Sequence, residues 1–279
     1  MSTARAVPDD SPQPGWRRYR PLAGAIPALL LVLVAILEVV AVARAGSDVP
    51  ADGDWERASA AVRARHQAGD LIVFAPEWID PVGRLHLGDL IPVAMAGRMD
   101  AARYGRIWEL SARGGRAPET RGLEPSWQQS FGALRVRLFE RTPAMVLTDF
   151  VAAFAPGMAR GPAAESLQEV GFEPHRCVLA RPRPGGTVEV RYPAAELGRT
   201  LVGYVGLADV FTRRDDREPA RLEVSVGGET VADVVAGNDA GWVRFQAATA
   251  PGTAEVVFRA SAGPNARNRL VCFAAEAHQ

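Results

Sequence analysis

The pattern of apolar and polar positions changes character along the chain. From Pro21 to Ala43 it reads PLAGAIPALLLVLVAILEVVAVA, apolar all round, with Glu38 the only charge. A helix of that length crosses a hydrocarbon layer of about 30 Å, so the run predicts a transmembrane anchor over 21–45 behind a short tail, 1–20. Glu38 lies near the outer end of the span, where a carboxylate reaches the interface or pairs with a neighbouring helix.

After a polar linker, 46–53, the period becomes that of mixed structure. WERASAAVRARHQA sets Ala58, Ala61, Val62 and Ala68 on one side of a helix, with Asp54 in the capping place and Gly69 at the stop. LIVFAP (71–76) is a short, wholly apolar strand, HLGDLIPVAMAGRM suggests a second helix, and RIWELSA (106–112) a second strand. ALRVRLFE (133–140) and AMVLTDFVAAF (144–154) add strands or a helix, interrupted by Pro125, Pro143 and Pro156. The stretch 54–170 therefore reads as a small α/β domain.

From about Phe172 the chain breaks into short strands between turn residues: 176–181, 187–192, 200–206, 221–226, 229–235, 242–247, 254–260 and 269–274. Val188, Val190 and Tyr192 alternate with Glu189 and Arg191, and Leu222, Val224 and Val226 with Glu223 and Ser225. Gly227-Gly228 marks a two-residue hairpin, and 184–186, 238–239 and 251–252 mark other turns. The fold class that follows is a single N-terminal transmembrane helix, then a small α/β domain, then an antiparallel, jelly-roll-like β-sandwich over 171–279.

Composition narrows the function classes. With 48% apolar residues, 23% charged residues and a formal net charge of zero, the chain is neither disordered nor basic, which argues against a nucleic-acid partner. All of its basic residues are Arg, a bias without functional weight. Arg5, Arg17, Arg18 and Arg20 precede the apolar run, against Arg44 and Arg57 after it. By the positive-inside rule the N-terminus is cytoplasmic and everything beyond Ala45 extracytoplasmic, with the lipid bilayer a partner through 21–43. The competing reading is a cleaved signal peptide, since Ala43-Arg44-Ala45 before Gly46 fits a small-residue cleavage pattern. Cys177 and Cys272 are the only cysteines, and an extracytoplasmic compartment favours a disulfide between them over two buried thiols.

Candidate chemistry is sparse. Glu77, Asp80, His86 and Asp89 cluster directly after the first apolar strand, where a catalytic acid could stand, although a polar capping loop has the same composition. His175 and Cys177 lie two apart on a strand with no third group to orient a base. The histidines and cysteines make no metal pattern, and no cofactor is implied. In Trp242-Val243-Arg244-Phe245-Gln246, Val243 and Phe245 take the core face, which sends Trp242 outward with Arg244 and Gln246. An aromatic plane beside hydrogen-bonding groups suits a sugar ring, and a tryptophan covering the sandwich edge has the same pattern. The charged loop around Arg213, Arg214 and Asp215 is a second recognition candidate.

The segment DWERASAAVRARHQAGDLIVFAPEW resembles the opening of the extracytoplasmic C-terminal region of bacterial polyprenyl-phosphate-dependent, protein-mannosyltransferase-like glycosyltransferases. Cys177, the run Leu201 to Leu207, Gly241-Trp242 and Cys272-Phe273 are similar to the sandwich appended to some of them. That family's chemistry belongs to a multi-spanning module, and this chain has one predicted span. The resemblance thus implies a non-catalytic accessory or glycan-binding protein, acting on an envelope glycan or beside a multi-spanning glycosyltransferase. The alternatives are a small envelope hydrolase or transferase using Glu77, and a scaffold that binds another protein.

Overall fold

The computed structural model describes residues 20–47, 49–208, 219–237, 240–265 and 269–279. It divides into two units, Met1–Pro50 and Ala51–Gln279. In the first, helix α1 (Arg20–Ser47) runs for 28 residues with Pro27 inside it. Its segment Ile26–Arg44 is long and apolar enough to cross a membrane, and none of those side chains is buried.

The second unit opens with α2 (Asp52–Arg63). The cap expected at Asp54 falls on Ala51 instead: the Asp54 carboxylate reaches back to the Ala51 N–H (3.2 Å) and also accepts the Ala133 N–H (3.2 Å). The helix stops well before Gly69 because Asp70, only 2% exposed, binds the Gln67 N–H, the Trp108 indole and Arg106, and so pulls the chain into a turn. A four-stranded sheet A follows, in the order β1 (Leu71–Ala75), β2 (Arg106–Ala112), β4 (Leu134–Glu140), β3 (Trp127–Phe131). β1 and β2 are parallel, and the other pairs are antiparallel. The expected second helix is broken into α3 (Asp80–Leu87), a single 3-10 turn and the short α4 (Val93–Ala96), with Pro92 between the last two. Proline fixes its own φ and lacks the N–H that a continuous helix requires.

Period-two alternation gives sheet A two covered faces. Ile72, Phe74, Trp108, Leu110, Val136 and Leu138 meet Trp55, Ala58 and Val62 of α2 on one side. On the other, Leu71, Val73, Ile107 and Phe139 meet Met95, Ala101 and Ala117.

The sandwich is built from two antiparallel sheets. Sheet B runs β13 (Val243–Ala248), β10 (Thr200–Leu207), β15 (Val271–His278), β8 (Glu173–Ala180), β7 (Ala163–Val170), and β5 (Val146–Asp149) also pairs with β15. Sheet C runs β12 (Glu229–Ala236), β11 (Ala220–Val226), β14 (Gly252–Ala262), β9 (Thr187–Leu197), β6 (Ala159–Arg160). All the strands expected from the alternation are present. The sandwich also takes in β5, β6 and β7, so it begins before the expected boundary at 171. Between the sheets lie Val190, Tyr192, Leu222, Phe258, Phe273 and Leu201, with Phe150 edge-on to Tyr192 at 4.9 Å. The Tyr192 hydroxyl donates to the Phe150 carbonyl at 2.5 Å, and burial pushes its pKa up. Gly227 and Gly228, at φ 59° and 91°, make the two-residue turn between β11 and β12, a conformation that side chains with a Cβ disfavour.

Candidate functional site

The outer face of sheet B is where the two layers of the second unit meet. Outward positions of β8, β10 and β15 bring together His175, Cys177, Tyr204, Gly206 and Cys272, and Trp242 lies over them just before β13. A Cβ on Gly206 would sit 2.7 Å from the Gly241 carbonyl and 3.2 Å from the indole, so only glycine lets the tryptophan lie down. Its ring stacks between His175 (4.4 Å, 11°) and Tyr204 (5.8 Å, 10°). Its Nε1–H donates to the Met99 carbonyl at 3.1 Å.

His175 grips the same segment from the adjacent residue. Its Nδ1 lies 3.2 Å from the Arg98 carbonyl. A carbonyl only accepts, so this nitrogen carries the proton of a neutral ring. Nε2 is buried without a hydrogen-bond partner, 3.8 Å from the Glu173 carboxylate. Burial holds the pKa down at about 4, against the opposing effect of the Arg98 carbonyl. The Arg176 N–H donates to the Gly97 carbonyl at 2.7 Å, so three successive carbonyls, those of Gly97, Arg98 and Met99, are bound by the sandwich.

Of the two roles expected for Trp242, these contacts are those of a tryptophan covering the sandwich edge. The side chain does leave the sandwich core, as the alternation requires, but both ring faces and the indole N–H are already engaged. Arg244 and Gln246 are exposed and bond to each other at 2.7 Å. Arg213, Arg214 and Asp215 lie outside the described residues.

A cleft of about 50 Å³ opens beside this seam. Arg103 crosses it to bind Asp149 of β5 and Glu276 of β15, and the latter also bonds His278 at 2.9 Å. Arg98 pairs with Glu119 within the α/β layer and Arg176 with Glu165 within sheet B, so the charges of the cleft are taken up in ion pairs, of which those of Arg103 join the layers.

The cluster after β1 does not assemble into one site. Asp80 pairs with Arg84 one helical turn on (2.6 Å), Asp89 binds Arg63 of α2 (2.6 Å), and His86 stacks on Trp55 (5.7 Å, 5°). Glu77 is exposed. Partial burial, and after it the Glu77 carboxylate, raise the pKa of Glu173. Among the described residues no group of His, Cys, Asp or Glu could hold a metal ion.

Cys177 and Cys272 form a disulfide, with Cα atoms 5.5 Å apart across 95 positions. They sit on the neighbouring strands β8 and β15, offset diagonally, since Cys272 is opposite Leu179.

A polar network that the sequence pattern alone does not assemble lies on sheet A. Glu109 is fully buried and Arg137 is 5% exposed. They are paired across β2 and β4, and their side chains form an ion pair. The second Glu109 oxygen accepts the Ala117 N–H (2.9 Å) and the Thr120 hydroxyl, and Arg137 also donates to Ser111 Oγ (3.0 Å). Its signal was present as opposite charges in two otherwise apolar strands, RIWELSA and ALRVRLFE, but register is needed to bring them together.

No protein-family model matches the chain, and no curated protein matches it. Solved structures do at low similarity. The second CBM51 domain and INT domains of Clostridium perfringens ZmpB, in complex with GlcNAc, match with 13% identity and a TM-score of 0.37 over 61% of this chain and 40% of that one. The CBM51 of the C. perfringens GH95 protein, in complex with methyl-galactose, matches with 13% identity and a TM-score of 0.34 over 46% and 98%. The C-terminal CBM6 of LamC from Zobellia galactanivorans matches with 12% identity and a TM-score of 0.27 over 42% and 90%. This chain thus spans about two fifths of the ZmpB fragment that it matches.

Proposed function

We propose that this protein is a membrane-anchored extracytoplasmic module that serves an envelope glycan, or the glycosyltransferase that makes it, by binding and without chemistry of its own. The observation that carries the location is the Cys177–Cys272 bridge in a chain that also has the span-length helix α1. Disulfides persist outside the cytoplasm, and the arginine bias before the helix directs the C-terminal side there. The glycan part rests on the sequence resemblance. The non-catalytic part is supported by the engagement of Asp80, His86 and Asp89 in local contacts.

The test is fractionation with a topology reporter, then purification from solubilised membranes. A reporter fused after Gln279 that works only outside the cytoplasm should be active, and the protein should stay with membranes through a carbonate wash. Envelope glycan or a multi-spanning transferase should accompany it. Release with a new N-terminus near Gly46 would overturn the anchor, and purification with neither companion would overturn the glycan reading. A second reading, a small hydrolase or transferase, is favoured by the Glu77 carboxylate acting on Glu173. A turnover abolished by Glu77→Gln would replace the first reading with it.

A further inference from the structure

The polar face of sheet A ends in an open cleft of about 110 Å³, whose lining includes Ser111, Arg113, Ser130, Gly132, Arg135 and Arg137. Register explains why these side chains meet. Arg135 of β4 is opposite Ser111 on one flank and Ser130 on the other, and Arg137 follows two positions along on the same face. Among the described residues the Arg137 side chain donates two hydrogen bonds, both from Nη1, to Glu109 and to Ser111 Oγ. Nε and Nη2 therefore have no acceptor among the described residues.

The carboxylates nearby are already engaged. Glu109 is shared by Arg137, Arg116 (3.8 Å), the Ala117 N–H and the Thr120 hydroxyl. Asp54 lies against Gly132 and is held by the Ala51 and Ala133 N–H groups and by Arg57. Arg113 stands over the Trp78 ring at 5.4 Å, and Arg135 is exposed with no ion pair among the described residues. Arg135 therefore brings to the cleft a positive charge that no carboxylate among the described residues pairs, beside the buried, fixed guanidinium of Arg137. That is the arrangement in which guanidinium groups bind tetrahedral oxyanions.

We infer that this cleft is a phosphate-binding site, in which Arg137 and Arg135 hold the oxyanion, Ser130 donates a further hydrogen bond and Arg113 closes the Trp78 side. The phosphate belongs to a sugar phosphate or to a lipid headgroup. The site does not depend on the membrane reading: a protein that washed off membranes yet bound phosphate would keep this inference and lose the other.

The test uses the full-length protein in nanodiscs of zwitterionic lipid. Its thermal midpoint is followed against inorganic phosphate at constant ionic strength, with chloride as the control, and phosphate binding is measured in parallel by equilibrium dialysis. A saturable rise that chloride does not reproduce is expected. Arg135→Gln, at an exposed position, should leave the phosphate-free midpoint unchanged and weaken binding by about tenfold or more, whereas the distant exposed Arg160→Gln should not. Tighter binding of glucose 1-phosphate than of inorganic phosphate would assign a sugar phosphate, and tighter binding of glycerol 3-phosphate a lipid headgroup. Equal effects of phosphate and chloride, or binding that Arg135→Gln leaves intact, would overturn the proposal.

Discussion

Trp242 donates its indole N–H to the main-chain oxygen of Met99, 3.1 Å away in space and 143 positions away in sequence. With His175 bound to the Arg98 carbonyl, it fastens the α/β layer to the back of sheet B. A tryptophan used in this way has an apolar ring to fill the seam and one donor to satisfy a carbonyl that the seam removes from water.

Truncating that side chain should therefore cost stability. Trp242→Ala leaves His175 and Tyr204 facing a void and is expected to lower the unfolding free energy by about 2–4 kcal/mol, below or within the range of fully buried aromatics. Trp242→Phe keeps much of the stack and loses the hydrogen bond, at about 1 kcal/mol. Chemical denaturation of both variants measures the difference. A loss of glycan retention with unchanged stability would show instead that the ring serves a ligand.

His175 makes the seam sensitive to acid. Its folded pKa, about 4, lies below the 6.5 of the free side chain. Above pH 6.5 the ring is neutral in both states and the stability is intact. As pH falls from 6.5 toward 4 the unfolded chain takes up a proton that the folded one refuses, and stability declines by up to about 3 kcal/mol, with no further loss from this group below that window. The His175→Phe variant, which retains a ring beside Trp242, should lack this part of the decline. Parallel denaturation curves at pH 7 and pH 4.5 check it, and an identical pH dependence in the two proteins would refute the assignment.

The disulfide closes a loop across 95 positions. A cross-link of that span stabilises by about 4–5 kcal/mol in the chain-entropy model, a large share of the roughly 5–15 kcal/mol that holds a typical domain. Changing both cysteines to Ala should lower stability by an amount of that order. Intact mass after alkylation of the denatured protein should show no added groups without reductant and two with it; two groups without reductant would mean that the bridge does not form.

The parts legible in the sequence were those whose pattern is set by a single uniform environment. The apolar run around Leu29 to Val42 shows as one long apolar helix by length alone, and Val188-Val190-Tyr192 and Leu222-Val224 show as strands because one face is buried and the other wet. β7 and β3 carry no such pattern for the converse reason: they are edge strands whose side chains are mostly exposed or half-exposed, so alternation leaves no trace.

The candidate site divides along the same line. The sequence alone determined that Trp242 leaves the sandwich core, that Cys177 and Cys272 stand in apolar strands and that Glu109 and Arg137 interrupt others. Only the tertiary structure decided what each of them meets: Met99 over Trp242, one cysteine beside the other, and a carboxylate in register with its guanidinium. Side-chain direction is local, because the pleat repeats every two residues, but the partner on the far side comes from a segment tens of residues away, brought there by the packing of whole layers rather than by any pattern in its neighbours.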